Sequence, residues 1–581
     1  MAPKRSSLHA EQLGREKGTV RKDWGGKISV ALVYPNHHAV GMSNLGFQTV
    51  YRLLNLREDT VAERVFLPEK KQESLFFKSG QGLLSTESLA PLRKFDLIAF
   101  SLSFEIDYLH ILDILDMGRI PLLSQQRATS LPLVMAGGVT TFLNPEPIAP
   151  FMDCFLLGEA ETILDPFLDL FKDLKKNRVD KDTALTTLAR EVPSLYVPSL
   201  YEVTYGEDKK IRAMIPRKNN VPEKIRVAHA ALEASPVARS TILSDKTSFS
   251  NKVLVELGRG CGRSCRFCAA GYVYRPPRVH EERTLLECIG RTIASCDNLG
   301  LLSPAVSDTP GIEEITQYIV SNQARFSVSS LRADSLTETL LKHLKKSGQK
   351  SVAIAPEAGS ERLRKVINKH LTEEDIIEAV EMIARIQAFT VRLYFLIGLP
   401  TEEPGDVDAI ITLVRAMRKS IINASKERGR IGHIRLSVNC FIPKPFTPFQ
   451  WHPMELVRSL REKQRRLKRD LEKAGGIRVS FDQPKKAYIQ TLLSQGDRRV
   501  GSILYQAFQC RGNWTKTLKQ TDFDPDFFVY REKGFDEILP WDNIEHGILK
   551  THLVKEYKLA LRGKESDICH PGDCTRCGVC G

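Results

Sequence analysis

Three cysteines on one short loop, Cys261, Cys265 and Cys268, are the residues of this 581-residue chain whose spacing most directly indicates chemistry. They follow the apolar and β-branched run 253–257, which predicts a buried strand, and glycines then turn that strand into a loop. Cysteine thiolates are the standard ligands of iron–sulfur clusters. Three thiolates at this spacing can therefore hold three irons of a [4Fe–4S] cluster and leave the fourth iron open to a small molecule.

Two simpler interpretations of this loop are a zinc knuckle and a set of three free thiols. Structural zinc sites usually have four ligands, arranged as two pairs. The loop contains no fourth cysteine or histidine, and the nearest candidate is His280. The cluster interpretation therefore accounts better for the spacing.

A second cysteine group lies near the end of the chain and comprises Cys569, Cys574, Cys577 and Cys580. Two of its gaps are C-x2-C, which is typical of metal sites. A segment this short needs an ion or a cluster to fold around. Zinc and a second [4Fe–4S] cluster both satisfy the pattern, and the ferredoxin-like C-x2-C-x2-C run favours the cluster. The nearby His570 is a spare ligand.

Composition and charge limit the classes of function. Seven of the twelve cysteines lie in the two groups, which favours metal binding in a reducing compartment over disulfides. No apolar run is long enough to span a membrane, and the basic segment 1–25, interpreted as a mobile tail, has no signal-peptide core. A cytoplasmic protein without a membrane partner is therefore predicted. The net charge is 84 − 70 = +14, which favours a polyanionic partner such as RNA.

The first third of the chain alternates strand and helix patterns, which predicts a parallel sheet over residues 26–175. The strand candidates are residues 28–36, 97–102 and 133–136, and a helix is predicted over 43–54. Such sheets bind ligands at the carboxyl ends of their strands. The candidate ligand-binding residues in those loops are His38, Gly41, Ser101, Gly137 and Gly138.

A second alternation of strands and helices covers residues 251–452, after a connector over 176–250. Its six strand candidates are 253–257, 299–302, 325–331, 351–355, 391–397 and 435–441. The loops after these strands contain residues suited to a polar ligand, namely Ser307, Asp308, Arg332, Glu357, Ser360 and Gly398. An extension over 453–565 and the cysteine-rich tail 566–581 follow. The extension begins with a basic helix, predicted over 455–473, whose charged face contacts either solvent or RNA phosphates.

The cysteine loop resembles that of the radical S-adenosylmethionine (SAM) enzymes, whose hallmark is C-x3-C-x-aromatic-C after the first strand of a partial β/α barrel. Phe267 is the aromatic residue here. The resemblance implies a partial (βα)6 barrel over 251–452, with the three loop cysteines as the catalytic cluster ligands. It also implies that the open iron chelates the amino and carboxyl groups of SAM while Phe267 lies against the adenine. Ser307 and Asp308 stand where this family often carries G-G-E, so they are the candidates for binding the SAM amino group.

The later loops resemble those of the Elongator-type and methylthiotransferase-type members of this family. Glu357 and Ser360 form a turn similar to their E/Q-x-G-S turn, which implies that Glu357 binds the ribose hydroxyls of SAM. The alternative for Glu357 is an acid at a helix N-terminus. Arg332 is implied to pair with the SAM carboxylate, and its alternative is a surface ion pair. Gly398 begins a G-L-P-x-E turn, whose backbone the resemblance places against the adenine.

The sheet predicted over 26–175 resembles, loosely, the cobalamin-binding Rossmann-like domain that precedes many radical SAM barrels. His38 lies in an N-x-H-x-x-G segment where that family has D-x-H-x-x-G, Ser101 begins a segment similar to S-x-L, and Gly137 and Gly138 match the G-G. The resemblance implies that His38 is the lower axial ligand of cobalt, with its other ring nitrogen bonded to the Asn36 amide. The alternative is the same fold without cobalamin.

Together these features predict an α/β protein with a Rossmann-like sheet domain, a partial (βα)6 barrel, a small α+β C-terminal region and a cysteine-rich tail. Its predicted function is reductive cleavage of SAM at the [4Fe–4S] cluster. The resulting 5′-deoxyadenosyl radical would modify a substrate, by C-methylation or methylthiolation, with RNA or a ribosome-associated molecule as the candidate. Ferredoxin or flavodoxin is the expected type of electron donor. The alternative is a non-catalytic iron–sulfur or zinc protein that binds RNA.

Overall fold

The structure, a computed structural model, describes residues 14, 16–69, 82–127, 132–247, 249–473, 475–572 and 574–580. Most of the predicted basic tail, residues 1–13 and 15, lies outside the described residues, as does Gly581 of the cysteine-rich tail. The fold is mixed α/β with parallel sheets, as predicted. No helix in the described ranges is long and apolar enough to cross a membrane.

The first sheet contains six strands and is flanked by helices. The strands are β1 Ile28–Tyr34, β2 Thr60–Phe66, β3 Leu97–Ser101, β4 Leu133–Gly137, β5 Cys154–Leu156 and β6 Leu195–Tyr196. Their order is β2-β1-β3-β4-β5-β6, and β6 alone pairs antiparallel with its neighbour. The longer helices of this region are α1 Leu45–Leu56, α2 Tyr108–Met117, α3 Ala160–Lys176 and α4 Lys181–Glu191.

Strand β2 was not predicted, because charged residues interrupt its apolar pattern. Glu63 and Arg64 lie within β2 and both are buried. Strands β1, β3 and β4 correspond to the three predicted strands, and α1 corresponds to the predicted helix. Their apolar residues alternate between the two faces of the sheet and are buried on both, as expected of a parallel sheet covered by helices.

The connector forms short strands that link the two larger sheets. They are β7 Tyr201–Tyr205, β8 Ile211–Pro216 and β9 Ile225–Arg226. Strands β7 and β8 make an antiparallel hairpin. The chain then enters the second region.

The second region contains two sheets of parallel strands that are connected by an isolated bridge between Leu331 and Ile354. The first has the order β10-β13-β14 and comprises β10 Val253–Glu256, β13 Asn298–Leu302 and β14 Arg325–Val328. Between β10 and β13, the short strands β11 Gly258–Arg259 and β12 Arg278–Val279 pair with each other. The second sheet runs in sequence order and comprises β15 Ser351–Glu357, β16 Thr390–Ile397, β17 Ile434–Cys440 and β18 Ile477–Phe481. All six strands predicted for this region are present, and β18 is an addition.

Helices follow the strands of the second region and continue into the C-terminal extension. Those of the second region are α5 Glu282–Ile293, α6 Ile312–Ser321, α7 Glu338–Lys346, α8 Glu373–Ile386, α9 Pro404–Ala424 and α10 Val457–Leu471. Those of the extension are α11 Pro484–Gln495, α12 Val500–Gln509, α13 Trp514–Gln520 and α14 Lys550–Leu561. The extension returns to the connector, because β19 Ile544–Glu545 pairs with β9.

Residues 16–25 pack on the first sheet, so the prediction of a mobile tail is wrong for this part of the segment. Trp24 donates its indole N–H to the Glu63 carboxylate at 2.9 Å. Glu16 is buried and forms an ion pair with Arg64 at 2.6 Å. Composition alone could not indicate this packing, because both partners belong to β2, distant in sequence.

Candidate functional site

The loop with the three cysteines is anchored to its surroundings by backbone and side-chain hydrogen bonds. Arg266 is completely buried; its backbone N–H donates to Ile367 O at 3.0 Å and its guanidinium to the carboxylate of Glu556 at 3.0 Å. The carbonyl of Ser264 accepts hydrogen bonds from the Tyr272 hydroxyl and the Asn368 amide. The loop is therefore held by a segment in the middle of the second region and by α14 of the C-terminal extension.

The three loop thiols lie close enough to influence each other's ionisation. Burial, with smaller contributions from the neighbouring Cys265 and Cys261, raises the pKa of Cys268 to about 12. Burial likewise raises the pKa of Cys261. Bound iron would lower these pKa values, because a thiol that coordinates a metal is deprotonated. In the part of the chain that the structure describes, no three His, Cys, Asp or Glu side chains are grouped as ligands of one metal ion.

Two arginine–aspartate pairs connect the cysteine loop to the loops after β13 and β14. Arg263, between the first two cysteines, makes a two-bond contact with Asp308, with both distances 2.7 Å. It also contacts Asp334 at 2.9 Å. Arg332 makes a two-bond contact with the same Asp334, both distances being 2.9 Å. Asp308 and Arg332 thus lie beside the cysteine loop as predicted, but each is engaged by a protein partner.

Ser307 and Glu357 lie next to these pairs. The Ser307 hydroxyl accepts a hydrogen bond from the backbone N–H of Arg332 at 3.2 Å. Glu357 has a left-handed backbone (φ 66°) and contacts Lys369 at 3.4 Å. Burial raises the pKa of Glu357 although Lys369 and Arg332 oppose it. A half-buried carboxyl with one long contact to a lysine is suited to accept hydrogen bonds from a polar ligand. Lys369 was not identified from the sequence.

The remaining residues that were predicted to bind SAM contact other parts of the protein. Ser360 caps the short helix Glu361–Val366, accepting from Leu363 N–H, and its hydroxyl donates to Asp406. Gly398 donates its N–H to the Glu402 carboxylate at 3.0 Å, and its φ of 81° favours glycine. Phe267 is half-buried and packs on the core.

A cavity of about 560 Å³ extends from the carboxyl edge of the first sheet to the cysteine loop. It is lined mostly by apolar side chains of the first sheet and of α1 and α3. Three predicted residues line it, Ser101, Gly137 and Gly138, and on the opposite side lie Gly260 and Tyr274 next to the cysteines. The sheet and the cysteine loop therefore share one ligand-sized space.

Arg259 joins the two sides of this cavity through three carboxylates. Its guanidinium contacts Glu159 at 2.8 Å, Glu161 at 2.6 Å and Glu256 at 2.8 Å. Arg278 adds a second cation against Glu159 at 2.6 Å. The segment Gly158-Glu159-Ala160-Glu161, which follows β5, thus binds the arginine that precedes the cysteine loop. This role was not predicted from the sequence, because the partners are about 100 residues apart.

The structure contradicts the predicted arrangement of His38. Its Nε2 is 2.7 Å from the buried carboxylate of Glu16, and the ring does not line the cavity. The Asn36 amide binds Asp107 at 2.9 Å and the N–H of His37 instead of His38. Burial raises the pKa of Glu16, but the contacts with His38 and the nearby Arg64 outweigh burial and lower it to about 2.

The predicted residue Gly41 likewise lies away from the cavity. Its Cα is in contact with the ring of Phe66, so that a side chain at this position would collide with Phe66. The N-x-H-x-x-G segment therefore packs on β2. It does not bring a ligand to the space between the sheet and the cysteine loop.

The C-terminal cysteines dock directly on the cysteine loop. The Cys569 N–H donates to Gly262 O at 2.6 Å, and any side chain at Gly262 would collide with the carbonyl of Cys569. Arg275 bonds both to the Cys577 thiol and to Ser264 Oγ of the loop. A cleft of about 290 Å³ lies between the two segments.

The four predicted tail cysteines lie near one another. Burial raises the pKa of Cys569, and the neighbouring Cys577, Cys580 and Cys574 raise it further. The spare ligand His570 does not line the cleft between the tail and the cysteine loop. Cys569, Cys574 and Cys577 line the cleft beside the first cysteine group, although among the described residues they are not grouped as ligands of one metal ion.

Comparison with protein families matches two regions of the chain. Residues 255–414 match the radical SAM superfamily, and residues 46–198 match the family described as radical SAM proteins, N-terminal. The chain is also 29% identical over 478 residues to an uncharacterized protein of Methanocaldococcus jannaschii, covering 82% of this chain and 90% of that protein.

Solved structures with a similar fold include two described as cobalamin-bound. The radical SAM methyltransferase TsrM from Kitasatospora setae, with cobalamin and a [4Fe–4S] cluster, is 13% identical with a TM-score of 0.46, covering 73% of this chain and 74% of TsrM. The cobalamin-dependent radical SAM enzyme OxsB, with aqua-cobalamin, is 14% identical with a TM-score of 0.45, covering 92% of this chain and 80% of OxsB.

Proposed function

This chain is a radical SAM protein, and we propose that it reductively cleaves SAM at a [4Fe–4S] cluster held by Cys261, Cys265 and Cys268 in order to modify a substrate. The observation that carries the proposal is the position of the cysteine loop. Through Arg263 it contacts Asp308 and Asp334, which belong to the loops after neighbouring parallel strands. In open parallel sheets that edge is where ligands bind.

The donor set of the loop fits the cluster. Three cysteines on one anchored loop supply three thiolates, and the positive charge of Arg332 favours the thiolate form of Cys261 against the burial that raises its pKa. When bound, the cluster supplies the electron that breaks the bond between sulfur and C5′ of SAM, giving methionine and a 5′-deoxyadenosyl radical. The protein contributes binding, orientation and exclusion of water.

The residues around the loop are suited to hold SAM. We propose that the half-buried Glu357 accepts hydrogen bonds from the ribose hydroxyls, because a carboxylate can bind two adjacent hydroxyls. Arg332 is proposed to bind the SAM carboxylate in place of one of its contacts with Asp334. Ser307 and Asp308 are the proposed contacts of the amino group, and Phe267 and Gly398 those of the adenine. The hydroxyl of Ser360 supports the turn and does not contact SAM.

We assign the residue ranges accordingly: a cobalamin-binding-like Rossmann domain over 26–175, a radical SAM partial barrel over 251–452, and a second metal or cluster site in 566–581. The reaction after radical formation is proposed to be C-methylation or methylthiolation. A ferredoxin or flavodoxin is the proposed electron donor. For the tail we favour a second cluster over zinc, because its C-x2-C-x2-C run is ferredoxin-like.

The cavity is the proposed cobalamin site, without His38 as a ligand of cobalt. Ser101, Gly137 and Gly138 line it, and its apolar walls suit an extended organic cofactor. His38 does not fit the role of ligand, since its Nε2 is bound to Glu16 outside the cavity. When bound, cobalamin would supply a methyl group for transfer.

Replacing His38 with alanine is therefore expected to change the Kd for hydroxocobalamin by less than about three-fold, whereas removing the support of a metal ligand typically costs 10–100-fold. Equilibrium dialysis of the reconstituted protein measures this. The electron paramagnetic resonance spectrum of the Co(II) form should lack hyperfine splitting from a histidine nitrogen. A protein that binds no cobalamin, or a spectrum whose nitrogen splitting disappears in His38→Ala, would contradict the assignment.

The proposed function is tested by product formation. Anaerobically purified protein, reconstituted with iron and sulfide, is mixed with SAM and dithionite, and 5′-deoxyadenosine is measured by mass spectrometry. We expect 5′-deoxyadenosine and methionine in equal amounts. Protein that holds its cluster and binds SAM, yet gives no product with dithionite or a flavodoxin system, would count against the proposal.

A further inference from the structure

Three arginines form a row across three neighbouring strands of the second region. Arg392 on β16 is in register with Arg435 on β17, which is in register with Arg478 on β18. All three side chains are exposed. Because neighbouring strands are about 4.8 Å apart, the row spans about 10 Å. We call this row the arginine ladder.

The ladder has no counter-charge in the protein. None of its three side chains forms an ion pair or hydrogen bond with any of the residues described by the structure. By contrast, Arg263 in the cysteine loop and Arg332 in the loop after β14 are both paired with aspartates. Like charges directly opposite each other on a sheet are destabilising. The fold therefore does not gain stability from the ladder. A bound anion would explain why three unpaired arginines lie next to one another.

The rest of the same sheet face is polar and open. Side chains alternate between the faces of a strand, and the intervening residues Val391 and Leu393 are buried in the core. The next row on the ladder's face is Tyr394, Ser437 and Ser480, whose two serine hydroxyls are 3.3 Å apart. Tyr394 is half-buried and offers an aromatic surface beside the cations.

Further cations extend the ladder along the amino ends of the strands. Lys252, before β10, contacts Ser327 at 3.0 Å, and the exposed Arg325 begins β14, where it pairs with Asp297 at 3.3 Å. Four of the seven parallel strands thus contain an arginine near the amino end, and Lys252 directly precedes a fifth strand. Across seven strands the distance is about 30 Å. A single phosphate or carboxylate cannot reach cations distributed in this way.

We propose that the ladder binds the phosphodiester backbone of a single-stranded nucleic acid. Guanidinium groups pair with phosphate through two parallel hydrogen bonds. An aromatic side chain beside a row of cations is the combination that binds single strands, because bases stack on the ring. The chain's net charge of +14 favours a polyanionic partner such as this over a neutral molecule.

The ladder lies away from the reacting centre on the same strands. Arg392 is six residues before Gly398, which places it about 20 Å from the carboxyl end of β16. The inference deepens the proposed function. It rests on that function for the identity of the substrate, because a nucleic acid bound at the ladder could extend to the cysteine loop. Binding itself is independent of SAM cleavage.

Fluorescence anisotropy with a labelled oligouridylate and the full-length protein, without SAM or reductant, tests the proposal. The variant Arg392→Gln/Arg435→Gln/Arg478→Gln should bind at least about ten-fold more weakly at low salt. The slope of log K against log salt should fall by about 2, since each phosphate that is no longer neutralised by an arginine lowers it by about 0.7. The thermal midpoint of the variant should be unchanged or higher, because the repulsion between the arginines is gone.

The matched control is Arg461→Gln/Arg465→Gln/Lys468→Gln on α10, which removes three exposed cations from another surface. It should keep at least half of the affinity. Equal losses of affinity in both variants, or no binding by the wild type at about 50 mM salt, would overturn the proposal. So would equal affinity for oligoglutamate and oligouridylate, which would assign the ladder to acidic peptides. If the wild type binds oligouridylate but forms no 5′-deoxyadenosine, the proposed function is refuted, while the inference that the ladder binds nucleic acid stands.

Discussion

Replacing Cys265 with alanine is expected to abolish formation of 5′-deoxyadenosine from SAM. The thiol is largely buried among the three loop cysteines, and the alanine variant leaves one iron of the proposed cluster without its protein ligand. Disturbing even the outer contacts of a metal ligand costs 10–100-fold in affinity or activity, so the loss of a ligand should lower product formation by at least about 100-fold. Mass spectrometry of the reconstituted variant measures the effect.

The loop itself should survive this substitution, which makes the loss of activity specific. Its backbone bonds, Cys268 N–H to Cys265 O at 3.1 Å and Arg266 N–H to Ile367 O at 3.0 Å, do not involve the thiol. Arg266 remains paired with Glu556. The far-ultraviolet circular dichroism of the variant should therefore match that of the wild type while the iron content falls.

The matched control is Cys577→Ala, which removes another buried thiol from the tail. The tail should stay docked, because Cys569 N–H to Gly262 O and Leu549 N–H to Cys577 O are backbone bonds. We expect the control to lose iron or zinc from the tail and to keep cleavage within about ten-fold of the wild type. Cleavage retained by Cys265→Ala would refute the assignment of the cluster. Equal loss of cleavage in both variants would show that the two sites do not act separately.

Residue type and local spacing were sufficient for the parts of this protein that depend on neighbours in sequence. The two cysteine groups were found from their spacing, and the six strands of the second region from their apolar runs. Each run forms a single strand whose burial follows from its own residue types, so a local pattern carries the information. The docking of the tail on Gly262 was not predictable, since it joins residues about 300 positions apart.

The predictions failed where a charge is buried by a distant partner. Strand β2 was missed because Arg64 is buried between Glu16 and Glu87, which supply its counter-charges from outside the strand. His38 was assigned to cobalt because its motif resembles a ligand motif, whereas Glu16, 22 residues earlier, binds its ring. A motif identifies a candidate ligand, but only the three-dimensional surroundings determine what that side chain binds.

Loss of Arg259 should strongly destabilise the protein. This arginine neutralises Glu159, Glu161 and Glu256, and all of these side chains are less than one-fifth exposed. Breaking a buried ion pair by removing one partner typically costs 3–5 kcal/mol, because a charge is left without compensation. Arg259→Met, which keeps the apolar stem, should therefore lower the free energy of unfolding by about 3–5 kcal/mol in a denaturant titration. Arg283→Met is the control, since its exposed pair with Glu287 is worth at most about 1 kcal/mol.

The pH dependence of Arg259→Met separates the cost of an unpaired charge from the cost of poorer packing. Even with Arg259 present, burial raises the pKa of Glu256. Without the cation, the folded-state pKa of Glu256 should lie further above the unfolded value. The folded variant then binds more protons than the unfolded chain, so its stability rises as the pH falls. The deficit in stability relative to wild type should shrink from about pH 8 towards about pH 5. A deficit that is independent of pH would assign the cost to packing and would contradict Arg259 as the charge that joins the first sheet to the cysteine loop.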